Sequence, residues 1–258
     1  MPDADPIAAC AGIVQLGDPE RFRATMAAPP PARRALFPLY AFNIEVARAP
    51  WVSAEPMIAE MRLQWWRDAL EEIAAGGPVR RHEVTVPLAA MLDPEGARLL
   101  DALVAARRSD TERAPFDDEA AFLAYVDATA GTLAWVAARA LGPADEAVVR
   151  DAGVAAGLAN YLRAVPELEA RGRAPLPDGR PETVARLARE GLARLARARA
   201  GRARVSTAAG AALLGGWQAG PLLRQAVADP GAVAAGRLAR SPFRARLGLI
   251  ARAATGLW

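Results

Sequence analysis

The stretch from Asn160 to Pro177, which reads NYLRAVPELEARGRAPLP, is the most informative part of this chain. It ends a pattern of small and apolar residues that predicts a helix over about residues 144–170. Gly172 and the prolines that follow it predict a turn. Turn-forming residues recur along the chain in the same way, because its 21 glycines and 21 prolines fall mostly between Ala-, Leu- and Arg-rich stretches. Helices joined by short turns have this pattern, and we therefore expect an all-α fold.

Further helices are predicted on both sides of this stretch. Asp18–Glu20 is a helix start, and Pro29–Pro31 separates that helix from the next one, over about residues 32–48. Alternating apolar residues at 84–88 are too few, and too close to Pro87, to predict a strand. The remaining predicted helices span residues 54–74, 94–108, 117–141, 181–200, 205–228 and 241–256.

Size and apolar content favour one domain over residues 1–258. The chain is 53% hydrophobic, which is ample for a sizeable core, and it contains no linker long enough to divide it. Residues 205–223 carry no charge, but Ser206, Thr207, Gln218 and several glycines make them only weakly apolar. We therefore expect a buried helix there and not a membrane span.

The composition narrows the range of functions. All 32 basic residues are arginine while the net charge is only +3, so the high sequence pI of about 9.7 reflects the arginine side chain itself. The chain has no recognisable nucleic-acid-binding motif, and we expect no nucleic acid partner. One cysteine, Cys10, excludes an internal disulfide, and with one histidine it cannot build the usual zinc site. The start has no basic region followed by an apolar run, which predicts a cytoplasmic protein.

The stretch at 160–177 resembles the second signature of squalene and phytoene synthases without a gap. Two other stretches agree in order and separation, namely Leu39–Phe42 and Tyr125–Gly131. The resemblance is clear over about residues 18–177 and implies an isoprenoid-synthase-type helical bundle around a central cavity. The residues that match the second signature are Asn160, Arg163, Glu167, Gly172, Arg173, Leu176 and Pro177.

The resemblance fails at the aspartates that bind metal in those enzymes. There, two aspartate clusters hold the Mg²⁺ that binds each prenyl diphosphate, and Mg²⁺ requires hard oxygen ligands. The corresponding positions of this chain are Ala47, Arg48 and Trp51 in the first motif and Ala164 and Leu168 in the second. We therefore expect no metal, no cofactor and no catalytic residue in this chain.

A second resemblance concerns one branch of the family. Ala41–Ala47 and Met61–Arg67 are similar to the branch that contains the mitochondrial complex I assembly factor, which has also lost the aspartates. This similarity implies a scaffold or assembly role linked to respiratory complex I, with a complex I subunit or an assembly intermediate as protein partner. The cavity would then be vestigial, or would hold a prenyl or other lipid ligand. The residues expected to line it are Phe42, Glu45, Arg48, Gln64, Trp65, Asn160, Arg163 and Glu167.

Local reasoning adds two expectations about individual side chains. The i,i+4 spacing of Arg163 and Glu167 predicts an ion pair between them. His82 lies in a polar loop after Gly76–Pro78, and we expect it to be solvated.

Two other functions are compatible with the sequence. One is a prenyl transferase of the squalene/phytoene class that uses Glu45, Glu167 and arginines in an altered site, with Mg²⁺ required only in this case. The other is a peripheral membrane protein, located at the inner membrane, that uses the basic faces of the helices at 181–200 and 241–256.

Overall fold

The computed structural model describes residues 5–53, 55–112 and 114–258 of the chain, and Ala54, the predicted first residue of one helix, lies outside them. The all-α prediction is confirmed, since the elements in the described residues are helical apart from one isolated bridge between Ala144 and Val205. The α-helices are α1 (Pro6–Gly17), α2 (Pro19–Ala27), α3 (Arg33–Arg48), α4 (Pro56–Ala75), α5 (Thr85–Ala89), α6 (Pro94–Ala106), α7 (Glu119–Val126), α8 (Thr132–Leu141), α9 (Glu146–Ala170), α10 (Pro181–Ala200), α11 (Thr207–Gly210), α12 (Ala219–Ala228), α13 (Gly231–Ala234) and α14 (Pro242–Thr255).

Local capping chemistry sets most of these boundaries. Asp18 accepts a hydrogen bond from the backbone N–H of Arg21 and begins α2, and Asp145 does the same for Val148 at the start of α9. Gly76, at a φ of 68°, ends α4 in the left-handed conformation that only glycine adopts without strain. A cap depends only on residues close together in the chain. The helix ends predicted from the sequence therefore agree with these observed ends within a few residues.

Two predicted helices are interrupted, and two short helices were not predicted. The predicted helix at 205–228 is divided into α11, a tighter helical turn over Ala211–Gly216, and α12, because two consecutive glycines at 215–216 weaken helical propensity. The predicted helix at 117–141 contains a π-helical turn, Asp127–Gly131. Residues 84–88 belong largely to a short helix, α5, and α1 is an additional helix that the sequence did not predict.

The core consists of two groups of buried side chains that share α9. The N-terminal residues Val148 and Val149 of α9 pack in the larger group with α1–α4, α6 and α8. The later residues Leu158 and Leu162 of α9 pack in the second group with α7, α10 and α12. The helix α9 therefore connects both groups, and its C-terminal half carries the signature that the sequence singled out.

One continuous helical segment in the described residues, Glu119–Leu141, is long and apolar enough by length and composition to cross a membrane. Half of its most apolar window is buried inside the protein. The uncharged stretch at 205–223 contributes buried residues such as Leu213, Leu214 and Trp217 to the core.

Candidate functional site

A cavity of about 630 Å³ lies where α2, α3 and α9 meet the π-helical turn. Of the eight residues predicted to line a cavity, it contains Asn160 and Arg163, together with Asn43 from the second resemblance. A larger, mostly apolar groove of about 920 Å³ between α1, α5 and α8 contains none of the eight. The lining residues of the smaller cavity are Gly17, Asp18, Pro19, Glu20, Arg21, Arg23, Asn43, Arg107, Tyr125, Val126, Thr129, Ala130, Gly157, Asn160, Tyr161 and Arg163.

Close packing between α9 and the π-helical turn shapes one wall of this cavity. A Cβ atom at Gly157 would lie 2.5 Å from the Cβ of Ala130 and 2.8 Å from Cγ1 of Val126. A Cβ at Gly153 would lie 2.9 Å from the carbonyl oxygen of Ala130. Both positions therefore require glycine, and single π-helical turns of this kind are frequent at functional sites.

Two charged residues of the cavity lining are paired across the fold. Arg163 donates to both carboxylate oxygens of Glu20 at 2.9 Å, a contact between residues 143 apart in the sequence. The predicted Arg163–Glu167 pair is therefore wrong. Glu167 is exposed and accepts from Arg171 at 2.6 Å. Arg163 pairs with Glu20 instead, because the fold brings the start of α2 within reach of this side chain, which local spacing did not reveal.

A buried polar network adjoins the cavity, whose lining includes Arg107 and Tyr125. Arg107 donates to the Tyr125 hydroxyl at 2.9 Å and to Asp110 at 3.1 Å, and Tyr125 donates to the other Asp110 oxygen at 2.7 Å. Burial raises the pKa of Tyr125 well above its ordinary value, and burial likewise raises the pKa of Tyr161 beside it. Burial by itself lowers the pKa of Arg107, but Tyr125 and Asp110 outweigh it and the net shift is upward. Sequence reasoning missed this network, since Arg107 and Asp110 belong to no motif.

The other predicted residues on α3 and α4 lie outside the cavity. Phe42 is fully buried and packs edge-to-face on Trp66, with 5.3 Å between ring centroids. Glu45 pairs with Arg48 at 3.6 Å on the surface of α3. These three side chains therefore contribute to the core and the surface of α3.

Two predicted residues on α4 belong to a different side-chain group. Gln64 is exposed and donates to Asp68 at 2.7 Å. Trp65 packs against the guanidinium of Arg80 at 5.0 Å and against His82 at 5.3 Å. His82 is consequently half-buried against the tryptophan pair, and the expectation of a solvated loop histidine is wrong.

Trp51, at one of the positions that correspond to the metal-binding aspartates, contacts two arginines. The ring of Trp51 lies 4.7 Å from the guanidinium of Arg171 and 4.9 Å from that of Arg173, so these contacts join the end of α3 to the end of α9. In addition, Arg173 lies 3.8 Å from Asp110. Two cations therefore lie beside one of the former ligand positions.

These side chains do not fit Mg²⁺. None of Ala47, Arg48, Trp51, Ala164 and Leu168 offers a side-chain oxygen. Within residues 5–53, 55–112 and 114–258, no group of three or more His, Cys, Asp or Glu side chains is arranged to hold a metal ion. The cavity lining itself is dominated by arginine, asparagine, tyrosine and two acidic side chains, which favours a polar ligand group over a hydrocarbon chain.

Solved structures with this fold include enzymes. The chain aligns with a crystal structure of a dehydrosqualene synthase in complex with ligand at a TM-score of 0.78, with 15% identity, over 98% of this chain and 96% of that one. It aligns with squalene synthase HpnC from Alicyclobacillus acidocaldarius at a TM-score of 0.70, with 15% identity, over 86% and 92% of the two chains. At this identity the alignments establish a shared fold and nothing about activity.

Curated relatives carry a different description. A Drosophila melanogaster protein named NADH dehydrogenase (ubiquinone) complex I, assembly factor 6 homolog is 32% identical over 178 residues, covering 64% of this chain and 52% of the relative. The Homo sapiens assembly factor 6 is 25% identical over 183 residues, covering 65% and 52%. The chain thus spans about half the length of the curated relatives it matches. A family model described as squalene/phytoene synthase matches residues 14–255, so the chain belongs to the squalene/phytoene synthase family.

Proposed function

We propose that this protein is a non-catalytic member of its family that acts in the assembly of respiratory complex I. The observation that carries the proposal is the loss of oxygen ligands at both metal-binding motifs, at Ala47, Arg48 and Trp51 and at Ala164 and Leu168. Without Mg²⁺ the family's chemistry lacks the charge that allows diphosphate to depart.

The surroundings of the lost ligands support the same reading. Arg171 and Arg173 contact Trp51, and their positive charge disfavours a divalent cation at this place. A single replaced aspartate would leave room for a substitute ligand. Because apolar or cationic side chains replace the aspartates at both motifs, neither half of the Mg²⁺ site is left.

The assembly role is suggested by the relatives. Their printed names describe complex I assembly factors, and the chain matches about half of their length. The proposed partner is a complex I subunit or an assembly intermediate, the proposed location is cytoplasmic, and no cofactor is part of the proposal. The cavity beside Asn160 and Arg163 is proposed as a vestige of the enzyme site.

Calorimetric titration tests the non-catalytic half of the proposal. Mg²⁺ and a non-hydrolysable farnesyl diphosphate analogue are titrated into the full chain, with a dehydrosqualene synthase as positive control. We expect no metal-dependent binding. Metal-dependent binding of micromolar or tighter affinity would overturn the proposal and favour a prenyl transferase with an altered site.

Deletion of the gene tests the assembly half. We expect a mutant to accumulate less assembled complex I on native gels, to lose NADH:quinone oxidoreductase activity in isolated membranes, and to recover both when the wild-type chain is restored. Unchanged complex I content and activity in the deletion strain would contradict the assembly role while leaving the calorimetric result intact.

A further inference from the structure

The helix α14 exposes an apolar stripe. Phe243, Leu247 and Ile250 are 71%, 50% and 63% exposed, and their i, i+4, i+7 spacing places them on one face of the helix. The opposite side of the helix is anchored by Ala245 and Leu249, which are buried. The helix therefore packs on the protein through Ala245 and Leu249, while Phe243, Leu247 and Ile250 face outward.

Arginines border this stripe on both sides. Arg244 and Arg246 are exposed and lie on either side of the line from Phe243 to Ile250. An apolar stripe between flanking arginines is the pattern of a helix that lies in a membrane interface.

Tertiary packing adds a group of arginines next to α14. A Cβ at Gly248 would lie 3.4 Å from a guanidinium nitrogen of Arg240 and 3.7 Å from one of Arg252. A Cβ at Gly220 of α12 would lie 3.5 Å from Arg224 and 3.8 Å from Arg199. Each glycine thus marks a point where two guanidinium groups converge. The full set, here named the C-terminal arginine cluster, is Arg199, Arg202, Arg224, Arg240 and Arg252.

No Asp or Glu side chain of the described residues pairs with this cluster, whereas Arg194 and Arg197 of the same region pair with Asp151. Arg202 instead donates to the main-chain oxygen of Trp258 at 3.0 Å and lies over its ring, and Arg252 donates to that of Gly248 at 3.4 Å. The Nε of Arg202 and one Nη of Arg240 are buried and have no hydrogen-bond partner among those residues. The pKa of Arg252 is lowered by burial and by four surrounding arginines, as expected for like charges that are held together.

We propose that α14 is a docking surface for an anionic phospholipid bilayer. The stripe of Phe243, Leu247 and Ile250 inserts into the boundary between headgroups and acyl chains, and the exposed Arg244 and Arg246 beside it bind lipid phosphates. The C-terminal arginine cluster lies on the side of α14 that faces the protein and adds positive charge that attracts the anionic surface. A nucleic acid or an acidic peptide satisfies the arginines but not three exposed apolar side chains. The inference rests on this surface alone and holds whether or not the protein takes part in complex I assembly.

Vesicle flotation with the full chain tests this proposal. Vesicles of phosphatidylcholine are compared with vesicles that also contain phosphatidylglycerol, at low and high salt. We expect binding only to the anionic vesicles and weakening by salt, because the attraction between exposed charges is screened. Absence of binding to anionic vesicles at low salt, or equal binding to both vesicle types, overturns the proposal.

Two variants and two controls identify the surface. The triple variant Phe243→Ser, Leu247→Ser, Ile250→Ser is expected to lose vesicle binding, and the pair Arg244→Gln, Arg246→Gln is expected to weaken it by about fivefold for each arginine. The control Met57→Ser, Met61→Ser removes residues that are 73% and 66% exposed on α4 and is expected to bind like wild type. Circular dichroism checks that each variant is folded.

An arginine outside the cluster and an acidic polypeptide serve as further controls. Arg189→Gln removes an exposed arginine of α10 away from the cluster and is expected to leave binding unchanged. If the α14 variants bind anionic vesicles as well as the wild type does, the surface is assigned wrongly. Retention by an acidic polypeptide column without any vesicle binding would also overturn the lipid assignment.

Discussion

Two arginine-rich regions of this protein differ in how their charge is balanced. Between α6 and α9, Arg107 and Arg173 share the carboxylate of Asp110, and the ring of Trp51 contacts Arg173. Among the described residues, no Asp or Glu carboxylate pairs with an arginine of the C-terminal arginine cluster. Arginine content by itself therefore does not define a binding surface, because the surrounding carboxylates decide which arginines remain available to an external anion.

The helix α10 carries both a paired arginine and an arginine without a carboxylate partner. Arg197 of α10 pairs with Asp151, while Arg199 belongs to the C-terminal arginine cluster. Two residues along a helix correspond to a rotation of about 200°, so these side chains point to nearly opposite sides. Of the two basic faces predicted at 181–200 and 241–256, the first is therefore largely occupied by internal ion pairs that include Arg186–Glu119.

Raising the pH is expected to destabilise the balanced region most. All three tyrosines of the chain, Tyr40, Tyr125 and Tyr161, have pKa values raised by burial, that of Tyr40 from 10.0 to about 12. A raised folded-state pKa contributes stability that is complete below pH 10 and is lost as the pH rises from 10 through 12. For Tyr40 alone this difference corresponds to about 3 kcal/mol.

Ultraviolet titration and urea unfolding measure this effect. We expect almost no tyrosinate absorbance from the folded protein at pH 10.5, about half a unit above the ordinary value, and roughly three quarters of the full tyrosinate absorbance once urea unfolds it. The free energy of unfolding should decrease steadily above pH 10. A tyrosine that titrates near its ordinary pKa in the folded protein would show that its own surroundings are open to water.

Removing the shared carboxylate is the next largest expected effect. Asp110→Ala leaves Arg107 and Tyr125 without their partner, and we expect the free energy of unfolding to fall by about 3 kcal/mol. The matched control Asp101→Ala breaks the half-exposed pair with Arg67 and should cost about 1 kcal/mol or less. Equal losses in the two variants, measured by urea unfolding, would show that the regions do not differ as described.

A substitution in the C-terminal arginine cluster should have the smallest effect on stability. Arg252→Met keeps the aliphatic packing and removes one of several mutually repelling charges, so stability should stay the same or rise by about 0.5 kcal/mol. Urea unfolding at low salt measures the change. A decrease of more than about 1 kcal/mol would mean that the contact of Arg252 with the Gly248 carbonyl outweighs the repulsion among the arginines, and would contradict the description of the cluster as unbalanced.

Much of the fold and part of the cavity were predictable from the sequence. Asn160 and Arg163 were singled out by their place in the signature, and both line the cavity. Phe42 and Gln64 were placed there from resemblance, but Phe42 faces the core and Gln64 faces solvent. Sequence position assigns a residue to a helix, and the rotation of that helix against its neighbours decides which of its faces reaches the cavity.

The sequence by itself determined the helical pattern, the family resemblance and the replacement of the metal ligands, because caps, turns and motifs depend on residues close together in the chain. It also indicated the basic apolar face of α14. Only the tertiary structure decided that Arg163 meets Glu20, that Trp51 meets Arg171 and Arg173, and that arginines from α10, α12 and α14 converge. The partner of a charged side chain depends on which helices pack together, and that is a property of the whole core.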